Sequence, residues 1–367
     1  MKVCMLSSVH AADDIRIVEK EARSLSALGH AVTVVARPPG PRDPGDIEFK
    51  LIDVPAVSRW RRPWVNGQAA VALARSIRPD VVHFHDPELI PFALMLKSQG
   101  CAVIYDVHED VPADIYSKTW IPSLLRPAAA RGAEMMERTT ARRFDAIVAA
   151  TPAIADRFRR YGARVSVVRN SVRLDEFVEP TFETKRRRQA VYIGRTSFDR
   201  GLAEMVEACA AIQLPLVLAG GIGAEEADWL KNRSSDVQYM GKLGRSEIAD
   251  LLNTSMIGLS LLLPEPNYLY SLPTKLFEYM AAGLPVITSD LPKSKEIVEA
   301  AGCGFSVSLD NPKALTDKLS MLVSNPGRAI ELGLAGRAAV SSDYNWEHDA
   351  AELKNLYREI FSQRENT

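Results

Sequence analysis

Short apolar, β-branched runs alternate with longer amphipathic stretches along this chain, and the alternation runs through two consecutive series. Such a pattern specifies parallel sheets with helical crossovers. In the first series strands are expected at Lys2–Ser7, Ala31–Ala36, Val81–His83, Ala102–Tyr105, Ala146–Ala149 and Arg164–Val168, with a helix over Ile15–Leu28 that Gly29 stops. The runs are almost continuously apolar, as strands covered on both faces must be.

The second series follows the charged stretch Lys185–Arg188. Its expected strands are Ala190–Ile193, Leu216–Ala219, Val237–Tyr239, Ile257–Leu262, Val286–Thr288 and Gly304–Val307, with helices such as Gly201–Ala211 and Lys275–Ala282 between them. A chain of 367 residues suits two domains. The reading is therefore an α/β chain of two doubly wound domains, residues 1–172 and 173–345, facing each other across a cleft. The polar segment 170–189 serves as linker, and a final helix within 346–367, over about Glu347–Phe361, crosses back onto the first domain. Open α/β sheets bind ligands at the carboxyl ends of their strands, so functional residues are sought in the loops after strands.

Charge is distributed unevenly. Met1–Val172 carries 24 Lys and Arg against 19 Asp and Glu, a net of +5, and the remainder is −6. The basic half could meet an anionic surface or acceptor, or its arginines could line solvated helix faces. Cys4, Cys101, Cys209 and Cys303 form no metal-type pair and are expected as reduced thiols, Cys4 and Cys101 within core strands. No apolar run has the length of a membrane span, and the one after Met1 is too short for a signal peptide. The expectation is a cytoplasmic protein, peripheral on a membrane if it works there, with no nucleic-acid partner.

Two segments carry phosphate chemistry. In Ser271–Ser289, Pro273 fits the first turn of a helix, and Lys275 and Glu278 lie three apart on one face. A helix N-terminus offers free N–H groups to a phosphate, Lys275 adds a point charge, and Glu278 could accept from ribose hydroxyls. The competing interpretation is an ordinary intrahelical Lys–Glu pair. In the second segment a strand ends at Gly194, and Arg195 and Arg200 follow before the next helix. Two guanidiniums there could chelate a diphosphate, or simply lie on the surface.

In the first half, the loops after two consecutive strands gather His83, His85, Asp86 and Glu88, then Asp106, His108, Glu109 and Asp110, in a chain with six histidines. Imidazoles so placed could hold an acceptor hydroxyl or exchange its proton. A zinc site is the rival, although the spacing supplies no convincing third ligand. After the first strand, His10, Asp13, Asp14 and Arg16 could contact a substrate, while Asp13 or Asp14 also suits the N-cap of the helix that follows.

On these residues the chain resembles the GT-B-fold glycosyltransferases of group 1, the large retaining family 4. The family's G-R-x-x-x-x-K-G is similar to Gly194-Arg195…Arg200-Gly201, with Arg for Lys. Its K-x-x-E-Y/A-M-A-x-G-x-P-V matches Lys275, Glu278, Tyr279, Met280, Ala281, Gly283, Pro285 and Val286. VVRNSVRLDEF resembles the interdomain motif, with Arg169 and Ser171 for the usual Pro and Gly, and YNWEHDAAELKNLY the closing helix. The resemblance implies two Rossmann-like domains, the first binding acceptor and the second a nucleoside-diphosphate sugar, with no metal or other cofactor.

It further implies that Gly194, Arg195, Arg200, Gly221, Tyr270, Ser271, Lys275, Leu276 and Glu278 surround the donor. Arg195, Arg200 and Lys275 would stabilise the leaving diphosphate, and His108, of the D-x-H-E type, would face the donor sugar. His10, His85, Asp86 and Glu109 fall on the acceptor side. One departure stands out. Where many members have an acid eight residues before Glu278, this chain has Tyr270. The expected reaction is transfer from a UDP- or GDP-sugar to a hydroxyl, on a lipid-linked glycan of surface polysaccharide, with retention. A small soluble acceptor, a nucleotide-sugar 2-epimerase and a non-catalytic scaffold are the alternatives.

Overall fold

The apolar runs become thirteen parallel strands in two sheets, in a computed structural model that describes all residues except 41–43, 56, 59, 119, 184, 232, 234, 235, 266, 267, 269–271, 366 and 367, and the backbone alone of 117, 364 and 365. The first sheet holds β1 (Lys2–Ala11), β2 (Ala31–Arg37), β3 (Glu48–Leu51), β4 (Val81–Phe84), β5 (Ala102–Val107), β6 (Ala146–Ala149) and β7 (Val165–Val167), in the order β3-β2-β1-β4-β5-β6-β7. The second holds β8 (Ala190–Ile193), β9 (Leu216–Ala219), β10 (Val237–Tyr239), β11 (Ile257–Ser260), β12 (Val286–Ser289) and β13 (Gly304–Val307), in the order β10-β9-β8-β11-β12-β13. Strand order reverses between β1 and β4 and again between β8 and β11, so each sheet has a switch point where loops diverge and leave room for a ligand.

Residues Met1–Asn170 and Trp346–Thr367 form one compact unit, and Ser171–Asn345 the other. The chain passes into the second unit at Ser171 because Val172 is buried in that unit's core and its N–H reaches Tyr344 O, 3.3 Å away. Each sheet has an apolar cluster on both faces. The closing helix, Trp346–Glu365, covers one face of the first sheet with Leu353, Leu356, Tyr357 and Ile360. Its indole Trp346 Nε1 donates to Ser24 Oγ at 2.9 Å, and its Asp349 pairs with Arg169 at 3.1 Å.

Four details depart from the sequence reading. The edge strand β3 was not anticipated, since EFKL is short, polar and half-exposed, with charges that blunt an edge. The first helix is a π-helix over Ile15–Ala22 that tightens to an α-helix over Arg23–Ala27, with the Asp14 side chain accepting from the Ile17 amide. That wide turn carries Arg16, Lys20 and Glu21 into the interior, and π turns are frequent at functional sites. Cys101 lies just before β5 and is only partly buried, while the thiols of Cys4, Cys209 and Cys303 are buried. Pro273 is the N-cap, with extended backbone, and the helix begins at Thr274. Among the described residues no helix is long and apolar enough to cross a membrane.

Candidate active site

In the second unit, the loops at the carboxyl ends of β8, β9 and β11 converge on the helix Thr274–Ala281. Tyr279 fixes that helix. Its hydroxyl donates to Leu259 O and accepts from the Ile193 amide, both at 3.0 Å, and so ties β8 to β11 beyond their short ladder. Gly258 makes room for the ring: a Cβ there would lie 2.5 Å from it. Lys275, four residues earlier on the same face, is thereby driven beneath Gly194, where it is 6% exposed.

The Lys275 ammonium lies 3.6 Å from the centre of the Tyr192 ring and has no hydrogen-bond acceptor among the described residues. Burial, reinforced by the Arg200 charge, pushes its pKa well below the ordinary lysine value. A desolvated cation–π contact contributes about 2 kcal/mol, against a cost of several kcal/mol for burying an ion. The pocket therefore favours an anion beside this amine. No Lys275–Glu278 pair forms among the described residues. Glu278 instead accepts from Arg245 at 2.5 Å, and Arg245 also holds Glu176.

The Gly194–Gly201 loop lies against the glycine-rich loop after β9. The Thr196 amide donates to Gly221 O at 2.8 Å. Gly220 has φ +145°, and a Cβ there would sit 1.9 Å from Gly194 O, so only glycine allows the two loops to meet. Gly221 itself is less constrained, since its Cβ would make an ordinary contact with Lys242. The Arg195 side chain is exposed, while its carbonyl accepts from the Tyr192 hydroxyl at 2.7 Å. Arg200 is half-buried beside the Tyr268 ring, and among the described residues its Nε and the buried Thr196 hydroxyl have no hydrogen-bond partner. Leu276 is wholly buried in the core, so its side chain is packing. Tyr270 and Ser271 lie outside the described residues.

In the first unit the centre is Asp106, near the end of β5 and fully buried. Arg16 grips it with Nε at 2.9 Å from Oδ2 and a terminal nitrogen at 2.8 Å from Oδ1. His108 Nε2 lies 2.7 Å and His85 Nδ1 3.1 Å from the same Oδ2. The β4–β5 register, Phe84 opposite Tyr105, sets His85 beside Asp106. Burial pulls the Asp106 carboxyl upward, but Arg16 and the two histidines outweigh it and hold its pKa well below the usual range. Glu21 goes the other way: burial and the Asp106 charge push its pKa well above normal. One buried guanidinium thus faces two carboxyls whose pKa values are driven in opposite directions. Burial lowers the pKa of His85, and of His83, which meets the Tyr357 hydroxyl at 3.0 Å.

His85, Asp106 and His108 bring three ligand atoms within 4.8 Å of one another, a set that could hold a metal ion. Arg16 already occupies both Asp106 oxygens, so a cation would compete with a buried guanidinium. Asp86 is spent on the second half of β1: its Oδ2 accepts from Ser7 Oγ at 2.8 Å and from the Ser8 amide at 2.7 Å. His10 Nδ1 pairs with Asp14 at 3.2 Å, which raises the imidazole's pKa. His10, Asp14, Arg16, His108, Glu109 and Asn170 are among the walls of a cavity of about 520 Å³. Sequence reasoning passed over Tyr192, Arg245, Glu176 and Glu21, whose importance lies in contacts between distant segments.

Comparison with known proteins matches both units. The model for Glycosyltransferase Family 4 fits residues 16–176, and that for Glycosyl transferases group 1 fits residues 187–325. Over 93% of its length the chain is 23% identical to glycogen synthase of Mycobacterium tuberculosis, covering 90% of that protein. It is 25% identical, over 79% of its length and 78% of the relative's, to the GDP-mannose-dependent alpha-(1-6)-phosphatidylinositol dimannoside mannosyltransferase of the same species. The crystal structure of Anabaena HepE in complex with UDP-glucose superposes with a TM-score of 0.69 at 14% identity, covering 98% of this chain and 100% of that one. With its two parallel α/β sheets, its Gly194–Gly201 and Lys275–Val286 motifs and these matches, the chain belongs to the group 1, family 4 glycosyltransferases of GT-B fold.

Proposed function

We propose that this glycosyltransferase moves a sugar from a UDP- or GDP-sugar to a hydroxyl of a lipid-linked glycan in surface polysaccharide assembly, with retention at the anomeric carbon. The observation that carries the donor assignment is the Lys275 ammonium, buried at the N-terminus of a helix with no acceptor among the described residues. A diphosphate supplies the missing anion, and helix N–H groups, Arg200 and Arg195 share its charge. In this reading Glu278, oriented by Arg245, takes the ribose hydroxyls. The cationic side chains do the work of a metal ion, so none is required.

The acceptor hydroxyl attacks from the leaving-group face, and the departing diphosphate takes its proton. His108, oriented by Asp106, lines the acceptor side with His10 and Glu109. Support for a lipid-linked acceptor comes from the mannosyltransferase relative, whose name specifies a phosphatidylinositol glycan, and from the basic first half. The enzyme then works peripherally on the inner face of an anionic membrane. A thermal-shift panel of UDP-, GDP- and dTDP-sugars tests the donor, followed by NMR of the product's anomeric proton. Stabilisation by one UDP- or GDP-sugar and a retained configuration are expected. Indifference to every nucleotide sugar contradicts the donor reading, and inversion contradicts the stereochemistry.

A further inference from the structure

The first unit leaves large apolar side chains standing in solvent on two adjoining segments. Trp60 is 74% exposed just before the helix Arg62–Ile77, and Trp64 is exposed one turn later. The Trp60 ring meets Trp120 edge-on, with centroids 5.4 Å apart, which joins this tip to the turn between helices Val111–Ser117 and Arg126–Thr140. In that turn Leu124 is 91% exposed and Leu125 is exposed as well, as is Tyr116 at the end of the first of these helices. Arg126 shapes the turn by donating to Ile121 O at 2.9 Å and Tyr116 O at 3.1 Å. The protrusion is built, since a guanidinium holds it by two backbone carbonyls.

Charge identifies what it meets. No Asp or Glu occurs between Asp53 and Asp80, a stretch with five arginines, or between Asp114 and Glu134, which carries Lys118, Arg126 and Arg131. Arg61 and Arg131 are exposed. A second copy docking through the same face would set arginine against arginine. Tryptophan and tyrosine beside basic residues, with leucines at the tip, suit the headgroup region of an anionic bilayer. We propose that Trp60, Trp64, Trp120, Leu124 and Leu125 insert into an anionic lipid surface while the surrounding arginines bind its headgroups. This rests on the reading of a lipid-linked acceptor and names the surface through which the enzyme reaches it.

The test is flotation of the full chain with vesicles of phosphatidylcholine alone and of phosphatidylcholine with phosphatidylglycerol. Binding is expected only with the anionic lipid, together with quenching of tryptophan fluorescence by brominated acyl chains. Trp60→Ser/Leu124→Ser/Leu125→Ser is expected to lose at least tenfold in partitioning, and Arg61→Gln/Arg131→Gln several-fold. Both should keep the wild-type melting temperature and nucleotide binding. Equal partitioning of the variants and wild type overturns the assignment of this surface. Absence of wild-type binding overturns docking itself, and nucleotide binding in the same samples shows whether the donor reading survives. A dimer in sedimentation velocity that the triple variant abolishes overturns the proposal in favour of a second copy.

Discussion

Lys275 points its ammonium at the face of Tyr192, 3.6 Å from the ring centre, and no oxygen among the described residues accepts a hydrogen bond from it. A buried cation held by a ring alone is an incomplete pair. Its proposed completion by a diphosphate would have consequences for proton balance, stability and turnover.

Nucleotide binding is expected to take up a proton. Burial and Arg200 hold the Lys275 pKa well below its ordinary 10.5, so part of the population is neutral at a pH where a free lysine is charged. A bound diphosphate raises that pKa again, and affinity should therefore fall as pH climbs above the unliganded value. Calorimetry in buffers of different ionisation heat measures the uptake. Uptake approaching one proton in the wild type, absent from Lys275→Met, is the expected outcome. Equal heats in all buffers, across the pH range, contradict it.

Arg245 bridges Glu176 and Glu278, and two carboxylates raise its pKa against the opposing effect of burial. Its loss leaves Glu278 unoriented. Hydrogen bonds to charged groups contribute about 1.5–3 kcal/mol, so Arg245→Met should weaken donor binding by roughly 10- to 100-fold. The change should appear in the donor KM more than in the acceptor KM. An effect confined to the acceptor would place Glu278 away from the nucleotide.

Glu21 has a folded-state pKa well above its ordinary 4.5, through burial and the Asp106 charge. For an acid shifted upward, the unfolded chain releases the proton first. Stability is lost as pH rises from the unfolded pKa to the folded one. Glu21→Gln keeps a neutral, hydrogen-bonding side chain, and is expected to melt higher than wild type at pH 7–8 and to match it near pH 4. Melting curves at the two pH values decide this, and a variant less stable at pH 7–8 indicates that Glu21 is ionised.

Much of the fold could be read from the chain because parallel strands buried on both faces announce themselves as apolar runs. All twelve expected strands are present, whereas β3, short and polar at an edge, gave no such signal. The π turn at Ile15–Ala22 was hidden because charges at 16, 20 and 21 suggest a solvated helix; here they are interior, with Arg16 and Glu21 built around Asp106. In the second unit, Gly194, Arg200 and Lys275 were legible as a motif. What could not be read was the support beneath them. The Tyr279 hydroxyl joining β8 to β11, the Gly220 approach to Gly194 O and the Arg245 bridge all link segments distant in sequence. Spacing along a chain carries no trace of such contacts.

The donor assignment is tested most directly by Lys275→Ala and Lys275→Met, assayed for nucleotide binding, turnover and melting temperature. Removing a buried charge that has no hydrogen-bond acceptor among the described residues should leave the fold intact, with Lys275→Met as stable as wild type or more so. Turnover should fall by at least roughly 100- to 1,000-fold, the loss typical of one stabilising donor at a developing negative charge, and nucleoside-diphosphate binding should weaken with it. Near-wild-type turnover in a correctly folded variant would contradict the placement of the donor diphosphate at Lys275.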